Sequence, residues 1–264
     1  MSGFWTNSQS RSLIGGHRGA SAVAVENSAA AFSAALAGGA DFIETDVRLT
    51  ADGVPVALHD ADLLRLTGTP RRLADLTLSE ARQRCPGLLT IPEVLQLAED
   101  RAGVLLDVKL LEGDDLSIFA QGLEAFARPS VALGLRSLDA VDALDGHLTD
   151  CPRLGLFRDI AHYPALAVRG GTWARLWQSD ATPDAIARLR DHGLRVIVMT
   201  GEPTPDGVGE IEDRDLADLL DRAPDALLLN DPGRAVALRR QRQAHSSAAS
   251  SAEPHHPIVK RSTS

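Results

Sequence analysis

Cysteine is scarce in this sequence. Cys85 and Cys151 are the only two in 264 residues, which excludes a disulfide framework and a cysteine-built metal site. Aromatic residues make up only 4%. Leu, Ala and Val must then fill the core, which suits layered packing of aliphatic strands against Ala- and Leu-rich helices. No apolar run approaches the ~20 residues of a membrane helix, so stable membrane insertion is not expected. Positive charge is in deficit, with 27 Lys and Arg against 36 Asp and Glu and a net charge of −9. A general nucleic-acid binder would show a basic face instead. A phosphorylated small molecule is not excluded, because a local cationic site can sit in an acidic protein. The opening MSGFWTNSQSRS has neither the basic nor the apolar segment of a secretory signal. The expected setting is a reducing cytoplasm.

What is present is an alternation of short apolar runs with amphipathic stretches. Strands are predicted at Leu13–Gly16, Phe42–Arg48, Val104–Lys109, Val131–Leu135, Arg153–Phe157, Ala174–Gln178, Arg195–Met199 and Ala226–Leu229. Helices are predicted at Ser28–Ala37, Leu116–Ala127, Pro183–Asp191 and Asp215–Asp221. Thr182 before Pro183 reads as an N-cap followed by proline in the first turn, and His192-Gly193 reads as a helix stop. Eight strands alternating with helices in this length point to a single-domain α/β (β/α)₈ TIM barrel, with an open doubly wound sheet as the alternative. Thr50 to Asp60, with Asp52-Gly53 at its turn, reads as a small hairpin insertion after the second strand. The excursion from Asp60 to Thr90 is long enough to be functional. Residues 1–12 are expected to be a flexible N-terminus, 13–240 the barrel domain, and 241–264 a disordered tail rich in Ser, Ala and Pro.

Strand alternation selects the chemical residues. In FIETDVR, Glu44 and Asp46 share one face, and Ile43, Thr45 and Val47 share the other. Two carboxylates that close repel each other unless a cation lies between them, and a hard divalent ion resolves the conflict. In VLLDVK, Asp107 and Lys109 share a face, adding a third carboxylate beside a cation. After the first strand comes GGHRGA, in which glycines admit close backbone approach to a ligand. His17 can move protons near neutral pH there, and Arg18 offers a planar fork for phosphate oxygens. His59, before Asp60, ends the hairpin as a second histidine. Singly, each has a plainer explanation: solvated acids, an internal salt bridge or a packed histidine.

Together, GHRGA, VENS, DFIETDVRLTADGVPVALHD and LLDVK resemble the glycerophosphodiester phosphodiesterase family. The resemblance is dense from Leu13 to Asp60 and thinner but collinear to about Val236. It implies a TIM barrel that cleaves phosphodiesters with a metal at its C-terminal mouth. By the same resemblance His17 and His59 are the acid/base pair, and Arg18 and Lys109 bind the substrate phosphate. Glu44, Asp46 and Asp107 are the metal ligands, and Glu26 and Asn27 support the site from behind. Asp107 stands where the family usually has Glu, a shortening shared with sphingomyelinase D-like phospholipases. Met199 replaces a usual Trp, and Asn230-Asp231 replaces a Thr-Asp pair, so the substrate-facing wall is expected to differ.

The implied cofactor is one divalent cation, Mg²⁺ or Ca²⁺, with Mn²⁺ also suited to oxygen ligands. The expected reaction is hydrolysis of a small-molecule glycerophosphodiester to an alcohol and glycerol 3-phosphate. A tethered 2-hydroxyl would favour a cyclic 1,2-phosphate on the way. Two alternatives stand beside it. One is a lysophospholipase D or sphingomyelinase D-like lyase that takes a lysophospholipid and releases the cyclic phosphate. The other is a catalytically impaired barrel that acts as a binding protein.

Overall fold

The computed structural model describes residues 4–5, 11–99, 101–110, 113–204 and 206–251, the side chains of 245–251 excepted. Eight barrel strands follow in order: β1 (Leu13–Gly16), β2 (Phe42–Leu49), β3 (Gly103–Val108), β4 (Val131–Leu135), β5 (Arg153–Gly155), β6 (Trp173–Trp177), β7 (Arg195–Met199) and β8 (Ala226–Leu229). Neighbours pair in parallel, and β1 pairs with both β2 and β8. That double pairing closes the ring and excludes the open sheet. The helices that cover it are α1 (Ala29–Ala37), α2 (Ile91–Ala98), α3 (Gly113–Leu123), α4 (Leu138–Ala143), α5 (Tyr163–Val168), α6 (Pro183–Asp191), α7 (Asp213–Asp221) and α8 (Pro232–Ser251). Among the described residues no helix is long and apolar enough to cross a membrane.

Local chemistry explains where the helices begin. Ser28 accepts from the Ala31 N–H at the start of α1, and Thr182 accepts from the Ala185 N–H at the start of α6. Thr90 and Glu93 form a reciprocal capping box ahead of α2, with Pro92 in its first turn. The expected hairpin forms: residues Pro55–Ala57 run antiparallel to β2 across a turn in which Gly53 has φ +75°. The excursion beyond it packs around its own small core, which includes Val56, Leu58, Leu63, Leu73 and Leu76.

Side-chain alternation divides each strand between the axis and the helices. The outward set packs with the helices into the main core, and the inward set includes Leu13, Phe42, Leu105, Leu154, Trp173 and Ile197. Gly15 makes room for this layer, since a Cβ there would lie 2.1 Å from the Phe42 ring. At Gly16 a Cβ would lie 2.6 Å from the Gly19 carbonyl oxygen. Packing alone therefore requires glycine at both positions.

The described residues differ from the terminal expectations at two places, while residues 1–3 and 6–10 lie outside them. Trp5 is not part of a free N-terminal arm. It is 1% exposed, plugs the barrel floor, and packs edge-on against Phe42 and Trp173. Its indole N–H donates to the Ser130 carbonyl at 3.0 Å, and its own carbonyl accepts from Trp173 Nε1 at 3.1 Å. Few aromatics are available to fill the floor, and burying this one favours its docked position by roughly 2–3 kcal/mol. At the other end, α8 continues to Ser251, past the expected boundary at 240. Its packed first turns nucleate a stretch rich in Ala, Arg and Gln, all good helix formers. Residues 252–264 lie outside the described residues.

Candidate active site

The mouth is assembled from the C-terminal ends of the strands, where inward residues of β1, β2 and β3 meet. Asp46 and Asp107 are directly opposite one another in the β2–β3 register. Glu44, Asp46 and Asp107 are all buried, and each offers one oxygen such that the three lie within 4.8 Å of one another. The loop after β1 wraps over them. Arg18, at φ +54°, donates its backbone N–H to Glu44 Oε2 at 2.8 Å. Asn27, at φ +55°, donates from Nδ2 to Asp46 Oδ2 at 3.0 Å and accepts from Thr45 Oγ1 at 2.8 Å. Left-handed backbone at two non-glycine residues costs of order 1–3 kcal/mol each, which these bonds offset.

Each carboxylate meets a different set of cations. Asp46 Oδ1 is 2.8 Å from Lys109 Nζ, and its Oδ2 is 3.3 Å from Arg18 Nε. Asp107 accepts from Lys109 at 2.6 Å and from both Nε and Nη2 of Arg136, at 2.9 and 2.5 Å. Among the described residues Glu44 has no such ion pair. Burial would raise all three carboxyls. The charges of Lys109 and Arg18 outweigh it at Asp46, and those of Lys109 and Arg136 outweigh it at Asp107, so both lie below the usual carboxylate range. At Glu44, burial and the negative charges of Asp46 and Asp107 push the carboxyl well above it. A buried acid that resists ionisation beside two ionised ones is a site short of positive charge. Three oxygen donors at this spacing fit a hard divalent cation.

The two histidines flank this cluster. His17 is buried and donates from Nδ1 to Asn230 Oδ1 at 2.8 Å. The amide orientation is set because Asn230 Nδ2 donates to the Val208 carbonyl and to Glu210. Burial and the charge of Arg18 lower the His17 pKa to about 4. The imidazole is therefore neutral at pH 7, with its lone pair on Nε2. His59 Nδ1 lies 2.7 Å from Asp60 Oδ1, and Arg48 Nε donates to the His59 carbonyl. Arg65 bridges Asp60 and Glu26 at 2.6 Å each, while Arg18 Nη1 reaches Glu26 at 3.0 Å. Every site residue expected from the sequence thus sits at this mouth, and all but His17 join one network of hydrogen bonds and ion pairs.

A cavity of about 160 Å³ opens between them, lined by both histidines, Arg18, Glu44, Asp107 and Lys109 on one side. Leu156, Arg175, Trp177, Met199 and Leu228 line the other. A larger cavity of about 280 Å³ lies beside Phe4 and Arg128, but its only acid is Glu99 and it has no histidine. Met199 faces the mouth as expected. Asn230 does not belong to the substrate-facing wall; it orients His17. Three groups escaped the sequence reading: Arg136, Arg175 and the Asp60–Arg65 pair. The arginines each stand on the inward parity of a strand, and that parity is the signal that could have found them.

Comparison with known proteins agrees with this geometry. Residues 17–112 match the glycerophosphoryl diester phosphodiesterase family. Glycerophosphodiester phosphodiesterase 1 of Bos taurus is 44% identical over 70 residues, covering 26% of this chain and 21% of the relative. The glycerophosphodiester phosphodiesterase of Bacillus altitudinis is 36% identical over 105 residues, covering 36% and 43%. The chain thus spans less than half the length of these curated relatives. The Thermotoga maritima glycerophosphodiester phosphodiesterase structure superposes with a TM-score of 0.72 at 23% identity, covering 88% of this chain and all of that one. An Oleispira antarctica phosphodiesterase, solved with the product sn-glycerol-3-phosphate, superposes at 0.74 with 19% identity, covering 87% and 97%. These structural likenesses establish a shared fold. The matched stretch, residues 17–112, carries both histidines and all three buried carboxylates, so the similarity to the glycerophosphoryl diester phosphodiesterase family falls on the mouth itself.

Proposed function

We propose that this protein is a metal-dependent phosphodiesterase that hydrolyses glycerophosphodiesters to an alcohol and glycerol 3-phosphate. The observation that carries the reading is the buried Glu44–Asp46–Asp107 cluster, flanked by two histidines each held at Nδ1. The three carboxylates would hold one divalent ion, Mg²⁺ or Ca²⁺ with Mn²⁺ also suited, which supplies positive charge for the phosphoryl oxygens. Glu26 and Asn27 support the site from behind, since they hold Arg18 and Asp46.

Arg18 and Lys109 stabilise the negative charge that gathers on the non-bridging oxygens of the substrate. His17 is neutral and keeps its Nε2 lone pair free, so it is suited to take the proton from the attacking hydroxyl. His59 delivers a proton to the leaving alkoxide, and Asp60 supplies a counter-charge at its Nδ1. The attacking hydroxyl is the substrate's own 2-hydroxyl, held near phosphorus by the glycerol chain; water then opens the cyclic phosphate with the histidine roles exchanged. The reading includes a cytoplasmic setting, supported by two cysteines that are both free thiols.

The test is turnover of glycerophosphocholine and glycerophosphoglycerol with Mg²⁺, Ca²⁺ or Mn²⁺, followed by phosphorus NMR. Linear glycerol 3-phosphate is the expected final product. Accumulation of the cyclic phosphate alone would make the protein a lyase, and no turnover with any of the three ions would reject the reading.

A further inference from the structure

Arg175 is a cation that the proposed reaction does not use. It rises from β6, which stands across the ring from β2, and it lines the apolar side of the active-site cavity. The residue is 9% exposed. Its Nη2 donates to the carbonyls of Leu156 and Phe157, each at 3.3 Å, and its guanidinium lies 4.5 Å from the Trp177 ring centroid. Nη1 is buried with no hydrogen-bond partner.

The other lysine and arginines that line this cavity all have counter-ions. Arg18 has Glu26 and Asp46, Lys109 has Asp46 and Asp107, and Arg136 has Asp107. Among the described residues Arg175 forms no ion pair. A buried guanidinium group left short of an acceptor is costly unless a ligand completes it. The fork geometry suits a planar or tetrahedral oxyanion, and the apolar neighbours Leu156, Met199 and Leu228 would strengthen the attraction by excluding water. The same wall is poorly made for a quaternary ammonium, which needs a free aromatic face or a nearby carboxylate. The Trp177 face already carries Arg175, and Asp107 is already shared by Lys109 and Arg136.

We infer that this wall is a subsite for a negatively charged head group, a carboxylate or phosphate on the alcohol half of the diester, with Arg175 as the residue that selects it. The inference rests on the diesterase reading above and specifies its substrate class. Arg175 is a specificity residue here and takes no part in bond cleavage.

Four diesters that share the glycerophosphoryl half test it in the Mg²⁺-loaded protein: glycerophosphocholine, glycerophosphoglycerol, glycerophosphoglycolate, and glycerophosphoglycerol ending in a phosphate monoester. The carboxylate or phosphate-ended compound is expected to exceed the choline compound in kcat/KM by about tenfold or more, mainly through KM. Comparing these two anionic compounds identifies which anion the wall prefers. Arg175→Met should reduce the preference to near unity, while Arg175→Lys should keep part of it. Equal or better turnover of the choline compound by the wild type would overturn the inference, and this needs no variant to fold. An equal loss on all four compounds in Arg175→Met would also overturn it, because the residue would then serve the common phosphate or the fold. Calorimetric binding of the same compounds separates the two readings. Anion-selective binding that is lost in Arg175→Met, without turnover of any diester, would uphold the subsite and reject the catalytic reading. Turnover without selectivity would do the reverse.

Discussion

The two ends of the barrel both set carboxylates among cations, yet they treat them differently. At the floor, Asp41 accepts from Arg11 at 2.7 and 2.8 Å, from Arg239 at 2.6 Å and from the Ile14 N–H at 2.8 Å. Arg239 also donates to the Ser12 carbonyl, so one acid ties the start of the chain to the last helix. One acid there faces two guanidinium groups. Burial would raise the Asp41 carboxyl, but the hydrogen bonds of Arg11 and Arg239 hold it below the usual range. At the mouth, three acids crowd together, and among the described residues Glu44 has no ion pair. The floor is a finished ion pair that stabilises the fold, whereas the mouth is an unfinished one. Unfinished charge inside a protein is what a bound ion or substrate completes.

This contrast can be broken most sharply by removing divalent ions. Chelation followed by gel filtration should reduce diester turnover to background while leaving the circular dichroism spectrum intact, and adding back one of Mg²⁺, Ca²⁺ or Mn²⁺ should restore it. Full activity of the stripped protein would remove the cation from the mouth. Next in size, His17→Ala and His59→Ala should each lower kcat by ~10²-fold or more on a diester with a poor leaving group. Their melting temperatures should stay close to wild type, since neither histidine holds the core.

The floor should respond in the opposite way. Asp41→Ala leaves the buried Arg239 and the partly exposed Arg11 without their acid and should cost about 3 kcal/mol in urea denaturation. The kcat of the folded fraction should change less than about threefold, because Asp41 touches no mouth residue. A large kcat loss with unchanged stability would reverse the assignment of the two ends. At the mouth, Glu44→Gln removes an acid whose ionisation the metal-free protein resists, so it should stabilise that form by about 1–3 kcal/mol while destroying metal-dependent turnover. Destabilisation of the stripped protein by this variant would show that the cluster is already balanced.

The smallest effect is a difference in sign with pH. Asp41 titrates lower in the folded chain than its ordinary value of 3.8. Its contribution is therefore present above that value and is lost as pH falls through the folded one. Glu44, in metal-free protein, titrates higher than its ordinary 4.5. Its contribution is present below that value and is lost as pH rises through the folded one. Stability curves of Asp41→Asn and Glu44→Gln should thus flatten on opposite sides of the wild-type profile. Flattening on the same side would contradict the contrast.

Much of the mouth was legible because its logic is local. Glu44 with Asp46, and Asp107 with Lys109, are separated by two along a strand, and a period of two places each pair on one face wherever the strand goes. The hairpin turn at Asp52-Gly53 and the cap at Thr182 depend equally on neighbours in sequence. Two features depended on closure instead. Trp5 could become a plug only once a ring existed with a floor to fill. Asn230 reached His17 because β8 pairs with β1 across the whole length of the chain.

The amino-acid sequence by itself therefore determined the alternation of strands and helices, the parity of each inward residue, and the supply of three acids, two histidines and several arginines at strand ends. Tertiary structure alone decided which of those charges meet. Arg136 and Arg175 have similar sequence surroundings, a single arginine in or just beyond an apolar strand. β4 is adjacent to β3 and brings Arg136 onto Asp107, while β6 stands across from β2 and leaves Arg175 without an ion pair among the described residues. Parity is a short-range consequence of backbone geometry, whereas ion pairing falls off with distance through space, and only the closed ring sets that distance.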